Sequence, residues 1–406
     1  MGNVAHMARI ILVSGKGGVG KTTVAAATGL ASAQKGHRTL VLSFDLAHSL
    51  SDSFDVSEEL FTRSKGQPVR VRDNLDIQEI DVQEELERSW KDIYRYSAAI
   101  MMGGGLEGIV AEEVAIMPGM EDVVALMELN RYVSEHRYDV IVLDCPPTSE
   151  ALRFVSITTT LDWYARKRLN ADRKLAQVIR PMAKVIGAAA QQYLEFLPDE
   201  RYFSALQGLF KRLEGVEALL RDPKVTTVRL VTNPEKMVVR ETQRAFMYFC
   251  LYGVTIDSVV INRLLPTGEG YFEAWAKSQA KYSTDIQNYF DPVPVSRLPF
   301  LSAEVVGQEQ LETFARMLYA ERDPAGFFVN LPAYGFAKES EGHYRLELKL
   351  PFVMKDQIDV SRHHEDLVVR IGTFKRNILL PRSVVNLDVI SARMNEDRLT
   401  VRFARA

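Results

Sequence analysis

Short continuous apolar runs alternate along this chain with longer segments whose apolar residues recur at helical spacing. Ile10-Ile11-Leu12-Val13-Ser14, Thr39 to Phe44 and Tyr138 to Leu143 are unbroken β-prone runs. Such runs predict strands buried on both faces. The Ala- and Leu-rich segment Thr22 to Gln34 predicts a helix. Leu75 to Ile80 alternates and predicts another strand. Further strands are expected over Thr227–Thr232, Ser258–Asn262 and Val293–Leu298, with helices over Lys236–Tyr252, about 273–289 and 304–318. The stretches about 83–136 and 150–221 predict mostly helix, the first broken by Gly103-Gly104-Gly105 and Pro118-Gly119. Strands alternating with helices predict an α/β unit, a mostly parallel, doubly wound sheet covered on both faces. Ligands bind such sheets at the carboxyl ends of the strands. Ser14, Asp45, Asp144, Asn233 and Asn262 fall there.

The period changes after about residue 330. Tyr344 to Leu350 alternates strictly, and Leu367, Val369, Ile371 and then Leu399, Val401, Phe403 repeat the pattern with no helix between. Period two without helices predicts a small antiparallel β-sandwich. The expected division is an α/β unit over 7–325, with helical insertions about 83–136 and 150–221. A linker over 326–342, containing Pro332 and Gly335, and a sandwich over 343–406 follow. Residues 1–6 precede Met7, the expected native start, and are left out of the fold reading.

Composition narrows the function classes. The 406 residues exceed one comfortable core. The net charge of −3 gives no reason to expect a nucleic-acid partner. Two distant cysteines, Cys145 and Cys250, exclude a disulfide framework and a C-x-x-C zinc site, so no zinc is expected. No apolar run is long enough for a bilayer and the N-terminus lacks signal-peptide architecture, so a cytoplasmic location is expected.

The stretch Gly15-Lys16-Gly17-Gly18-Val19-Gly20-Lys21-Thr22-Thr23 fits the pattern G-x-x-x-x-G-K-[ST]. It lies between an expected strand and an expected helix, the context in which this pattern cradles phosphate. Glycines let backbone N–H groups turn inward, and the helix N-terminus adds positive potential. Lys21 would reach the β- and γ-phosphates of ATP, and the Thr22 hydroxyl would bind Mg²⁺. Lys16 is unusual inside such a loop. A cation there could reach a phosphate bound in a facing subunit, or could simply be solvated.

With that second lysine, the loop resembles the deviant form found in a family of dimeric ATPases. That family includes partitioning ATPases, the nitrogenase iron protein, the arsenite-pump ATPase and the tail-anchored-protein targeting ATPase. The resemblance implies a homodimer in which Lys16 acts across the interface. Asp45-Leu46-Ala47-His48-Ser49-Leu50-Ser51-Asp52 is similar to the switch I segment of the last two members, D-P-A-H-[SN]-L-[SG]-D, with Leu46 in place of proline. It implies that Asp45 polarises the attacking water and also faces Mg²⁺ through water; His48 reads equally as an orienting or a packing residue. Asp144-Cys145-Pro146-Pro147-Thr148 resembles switch II, D-x-x-P-T-G-H, with Ser149-Glu150 replacing Gly-His. Asp144 would hold Mg²⁺ through water, or merely cap a helix.

The resemblance extends to Glu235 as a nucleotide contact, Asn262 as the reader of the adenine edge, and Pro299 and Phe300 as the lining of the adenine pocket. Met117-Pro118-Gly119-Met120-Glu121 is similar to the entry of a helix in the family's insertion. In the targeting ATPase the insertions of two subunits form a groove for a client transmembrane helix. Ile100-Met101-Met102, Ile116-Met117, Met120 and Met127, with Leu175, Val178, Ile179, Met182, Val185 and Ile186, are candidates for such a surface. They are equally candidates for the core of the insertion. In the arsenite-pump ATPase the insertions carry cysteines, which soft As(III) requires; Cys145 and Cys250 lie elsewhere. The C-terminal unit resembles the α-crystallin domain of small heat-shock proteins. It reads either as a client or assembly module, or as a stabilising appendage.

The expected function is therefore that of an Mg²⁺-dependent ATPase, a homodimer that chaperones or targets hydrophobic clients such as tail-anchored membrane proteins. A membrane receptor is a further candidate partner. Metalloid efflux and a partitioning-type switch on DNA or membrane are the alternatives.

Overall fold

The side chains of β1 (Arg9–Gly15) divide by parity: Ile10 and Leu12 enter one apolar core, Ile11 and Val13 another. A continuous apolar run behaves this way when helices cover both faces of its sheet. The computed structural model describes residues 7–45, 49–57, 64–81, 84, 120–167, 173–174, 177–178, 200–266, 271–329, 332–363 and 365–405.

After β1 come α1 (Lys21–Gln34), β2 (Thr39–Ser43), α2 (Ser49–Ser53), β3 (Val69–Arg72) and β4 (Leu75–Glu79). Then follow α3 (Met120–Ser134), β5 (Val140–Asp144), α4 (Thr148–Lys167), α5 (Glu200–Leu213) and α6 (Val216–Arg221). The unit closes with β6 (Thr226–Thr232), α7 (Lys236–Tyr252), β7 (Ile256–Leu264), α8 (Glu273–Phe290), β8 (Val295–Pro299) and α9 (Gln308–Tyr319). The eight strands run in the order β3-β4-β2-β5-β1-β6-β7-β8. All pairs are parallel except β3–β4. The antiparallel edge strand β3 is absent from the sequence expectations. Its four residues, Val-Arg-Val-Arg, alternate between half-buried and exposed and carry no apolar run to detect.

One face of the sheet is covered by α1 and α9, whose Val24, Leu30, Leu311 and Phe314 share a core with Val41 and Val142. The close approach of α1 depends on Gly29, where a Cβ would stand 2.1 Å from Val41 Cγ2. The opposite face is covered by α3, α4 and α7, through Val124, Phe154 and Phe249. Met120 and Met127, candidates for a client surface, are buried in this core at 7% and 5% exposure. Val178 is exposed. The other candidate client residues, Ile100 to Met102, Ile116, Met117, Leu175, Ile179, Met182, Val185 and Ile186, lie outside the described residues. Among the described residues no helix is long and apolar enough to cross a membrane.

The C-terminal strands are β9 (Tyr334–Ser340), β10 (His343–Lys349), β11 (Ile358–His363), β12 (Asp366–Ile371), β13 (Phe374–Leu379), β14 (Asp388–Asn395) and β15 (Arg398–Ala404). They form sheets β14-β15-β10-β9 and β11-β12-β13, antiparallel throughout. Leu346, Leu348, Val401 and Phe403 of one sheet share a core with Leu367, Val369 and Ile378 of the other. The stretch expected as a linker, 326–342, contains a strand. β9 pairs with β10, and its run Lys338-Glu339-Ser340 is the polar edge of a sheet rather than free chain. The sandwich docks on α7. Met247 and Leu251 complete its core, and the rings of Tyr248 and Phe374 lie 3.8 Å apart, centre to centre.

Candidate active site

The glycine loop joins β1 to α1. Gly15 packs so closely on β6 that a Cβ would lie 2.2 Å from the Val231 carbonyl oxygen. Gly18 and Gly20 have φ of 80° and 96°, in the left-handed region that favours glycine. No side chain caps α1. Its first N–H groups therefore remain to receive an anion. Lys21 heads the helix, almost fully buried, with Nζ 3.5 Å from the Lys16 carbonyl oxygen.

The loop opens on a cleft of about 850 Å³. Gly17, Gly18, Gly20, Lys21, Thr22 and Thr23 line it from the loop; Asp45 and Ser49 from the β2–α2 side; Asn262, Pro299 and Phe300 from the ends of β7 and β8. The half-exposed ring of Phe300 supplies an aromatic wall. Four segments distant in sequence thus converge on one opening, because the carboxyl ends of parallel strands share one edge of the sheet.

A hydroxyl–carboxylate group begins at the lining residues Thr22, Ser49 and Asp45 and continues behind them to Ser43 and Asp144, which are buried and do not line the cleft. Thr22 Oγ1 is 3.2 Å from Ser49 Oγ, Ser43 Oγ donates to Asp144 Oδ2 at 3.5 Å, and the Asp45 N–H donates to Ser43 Oγ at 3.3 Å. Asp144 is fully buried and its Oδ1 has no partner among the described residues. Burial pushes its carboxyl up to about 7, against the Thr22 hydroxyl and the charge of Lys21, which hold it down. A buried carboxyl with a vacant oxygen beside threonine and serine hydroxyls suits Mg²⁺, which takes one or two carboxylates and completes its shell with water and phosphate. No group of three or more His, Cys, Asp or Glu that could hold a metal occurs among the described residues.

Other expected residues fall less directly in place. Gly15 and Val19 lie buried behind the loop, and half-buried Lys16 does not line the cleft. Glu235 precedes α7, outside the lining. Asn262 reaches the cleft, but its amide is engaged: Nδ2 donates to the Val19 carbonyl at 2.9 Å and Oδ1 accepts from the Arg263 N–H at 2.9 Å. It braces the loop in this form instead of offering a free amide edge. Leu46 to His48 lie outside the described residues.

Two contributors escaped the sequence reading. Glu79 ends β4, and its Oε1 accepts from the Leu50 and Ser51 N–H groups at 3.0 and 2.9 Å and from Ser51 Oγ at 3.2 Å. It fixes the start of α2, next to Asp45. An acid at the carboxyl end of an expected strand was the available signal. Arg153 on α4 donates to Asp122 at 2.6 Å and to Glu121 at 2.5 Å, tying the head of α3 to the helix that follows Asp144.

Comparison with known proteins agrees with this geometry. A family profile described as anion-transporting ATPase, ArsA type, matches residues 8–320. A second, described as the HSP20-like domain found in ArsA, matches residues 341–403. The putative arsenical pump-driving ATPase 1 of Aquifex aeolicus is 43% identical over 399 residues, covering 97% of this chain and 99% of the relative. The putative arsenical pump-driving ATPase of Chlorobaculum tepidum is 37% identical, covering 97% and 96%. The ATPase get3 of Pyrenophora tritici-repentis is 30% identical over 315 residues, covering 76% and 91%. Loop, strand order and full-length relatives lead to one assignment: the chain belongs to the ArsA family of ATPases and carries that family's HSP20-like domain at its C-terminus.

Proposed function

We propose that the chain is an Mg²⁺-dependent ATP hydrolase working as a cytoplasmic homodimer, in which the nucleotide state controls the handling of hydrophobic polypeptide segments, tail-anchored membrane proteins among them. The observation that carries the proposal is the convergence of the glycine loop, Thr22 and Asp45 on one cleft, with Asp144 buried within reach of the Thr22 hydroxyl. Thr22 would hold the ion, with Asp45 and Asp144 facing it through water. When bound, Mg²⁺ supplies charge neutralisation at the β- and γ-phosphates. The loop N–H groups and Lys21 hold the phosphate oxygens, and Asp45 orients water and accepts its proton. Lys16 lies outside its own cleft, in keeping with a target in a facing subunit. Phe300 and Pro299 give the base an apolar wall.

The client half rests on the sequence resemblance to the targeting ATPase, on the relative named ATPase get3, and on an HSP20-like domain docked on α7. A metalloid reading draws support from the names of the pump-driving relatives. Against it, Cys145 and Cys250 are both buried, and burial raises both thiols, Cys250 to about 12. Soft-ion capture needs accessible thiolates. Full-length protein mixed with a labelled transmembrane segment, with ADP or a non-hydrolysable ATP analogue, separates the readings. Nucleotide-dependent capture supports a client function. Capture no better than an inert control, with turnover stimulated by arsenite, removes it.

A further inference from the structure

A second cleft, of about 470 Å³, lies where the sandwich meets the α/β unit. It shares no lining residue with the nucleotide cleft. Its walls come from α4, α6, the end of α7, β9, β12 and β13. At its base is Arg376, only 1% exposed. Nη1 donates to the Leu251 carbonyl, but Nε and Nη2 have no partner among the described residues. These two nitrogens are neighbours on the guanidinium and form the fork that takes two oxygens of an oxyanion.

The surrounding charges do not satisfy that fork. Glu217 is committed to Arg221, whose Nη1 lies 2.6 Å from its Oε1, and it also accepts from Thr159 at 3.1 Å. Arg221 in turn donates to the Tyr252 carbonyl and to Thr159, both at 3.1 Å. The lining holds three bases, Arg221, Lys375 and Arg376, against two acids, Glu217 and Asp366. Burial, and then Arg221, pull the Arg376 guanidinium down to about 9. A buried, incompletely bonded cation is costly unless an anion accompanies it.

We propose that this cleft binds a phosphate group, with Arg376 as the buried anchor and Lys375 at the rim. Phosphate suits it better than a carboxylate, because Lys375 and Asn377, which also line the cleft, carry donors beyond the two of the fork. The guanidinium carbon lies 4.9 Å from the centre of the Tyr334 ring, so one wall is aromatic and accommodates an organic body on the phosphate. Two sources share this chemistry, free phosphate and a small phosphoester. The bound group would bridge the sandwich to α4, which begins at Thr148, just after Asp144.

The test uses the full-length protein saturated with Mg-ADP, so that the glycine loop is filled. Inorganic phosphate and phenyl phosphate are titrated separately, reading ³¹P line width and melting midpoint. The parent is expected to bind, and Arg376→Met and Lys375→Glu are each expected to weaken binding tenfold or more with Mg-ADP affinity unchanged. Lys375 is exposed, so its variant keeps the test valid should Arg376→Met fail to fold. Tighter phenyl phosphate supports the site and assigns it to a phosphoester; tighter inorganic phosphate supports it and assigns the free ion. No response from the parent, or equal responses from the parent and both variants, overturns the proposal.

Discussion

The amide of Asn262 donates to the carbonyl of Val19 at 2.9 Å, so the end of β7 holds the middle of the glycine loop. The same nitrogen would stand 2.5 Å from a Cβ at Gly20. The loop's shape thus depends on a contact across the cleft as well as on its own glycines. Asn262→Ala is expected to weaken ATP binding about tenfold, the loss of roughly one buried hydrogen bond. Asn262→Asp is expected to be worse, since a carboxylate would face the Val19 carbonyl. Titration with a fluorescent nucleotide checks both.

Asp45 lines the cleft beside the loop, and its N–H donates to the buried Ser43 hydroxyl. Asp45→Asn is expected to bind ATP normally and to lose about 10²- to 10⁴-fold in single-turnover hydrolysis, the usual contribution of a positioned base. Nucleotide binding and turnover measured on the same preparation separate this outcome from misfolding.

The Asp144 carboxyl is raised to about 7 from an ordinary 3.8. Between those values the folded protein holds a proton that the unfolded chain has released. Stability therefore falls as pH rises through that window. Without nucleotide or divalent ions, Asp144→Asn is expected to be more stable than the parent at pH 8, by roughly 1 to 4 kcal/mol, and the gap should narrow by pH 5. Asp122, raised to about 6 by burial, titrates in both proteins and cancels in the difference. Denaturant unfolding at the two pH values measures it.

Arg153 is the donor to fully buried Asp122, and is itself partly exposed. Arg153→Ala is expected to cost roughly 1 to 3 kcal/mol, less than a wholly buried pair because solvent screens the arginine. The loss should be larger at pH 8 than at pH 5, where Asp122 is neutral. Asp122→Asn in the Arg153→Ala background is expected to recover part of it, as read by chemical denaturation.

What was legible in the sequence follows from where the information lies. Lys236–Tyr252 was readable to its limits because its apolar stripe and the following Gly253 are local, and Gly253 has φ of 82°, an αL helix end. The parallel strands were readable because burial on both faces leaves continuous apolar runs. β3 and β9 were not, since edge strands owe their pairing to a neighbour and keep polar residues. Glu79 and Arg376 were missed for the same reason: their partners, Ser51 and Leu251, are distant in sequence. Asn262 was expected to meet the base, and the brace to Val19 could not be read from either segment alone. Met120 and Met127 show the limit of side-chain type as evidence, since polarizable residues also fill cores.

The central claim is that two copies of this chain share their nucleotide sites through Lys16. Mixing two inactive variants tests it most directly. Lys21→Ala lacks the phosphate anchor but retains Lys16, and Lys16→Ala keeps its own cleft intact. Each alone should hydrolyse ATP poorly. An equimolar mixture is expected to regain about a quarter of parental turnover, since half the dimers are mixed and each has one complete site. A mixture no faster than the average of its components would contradict the account.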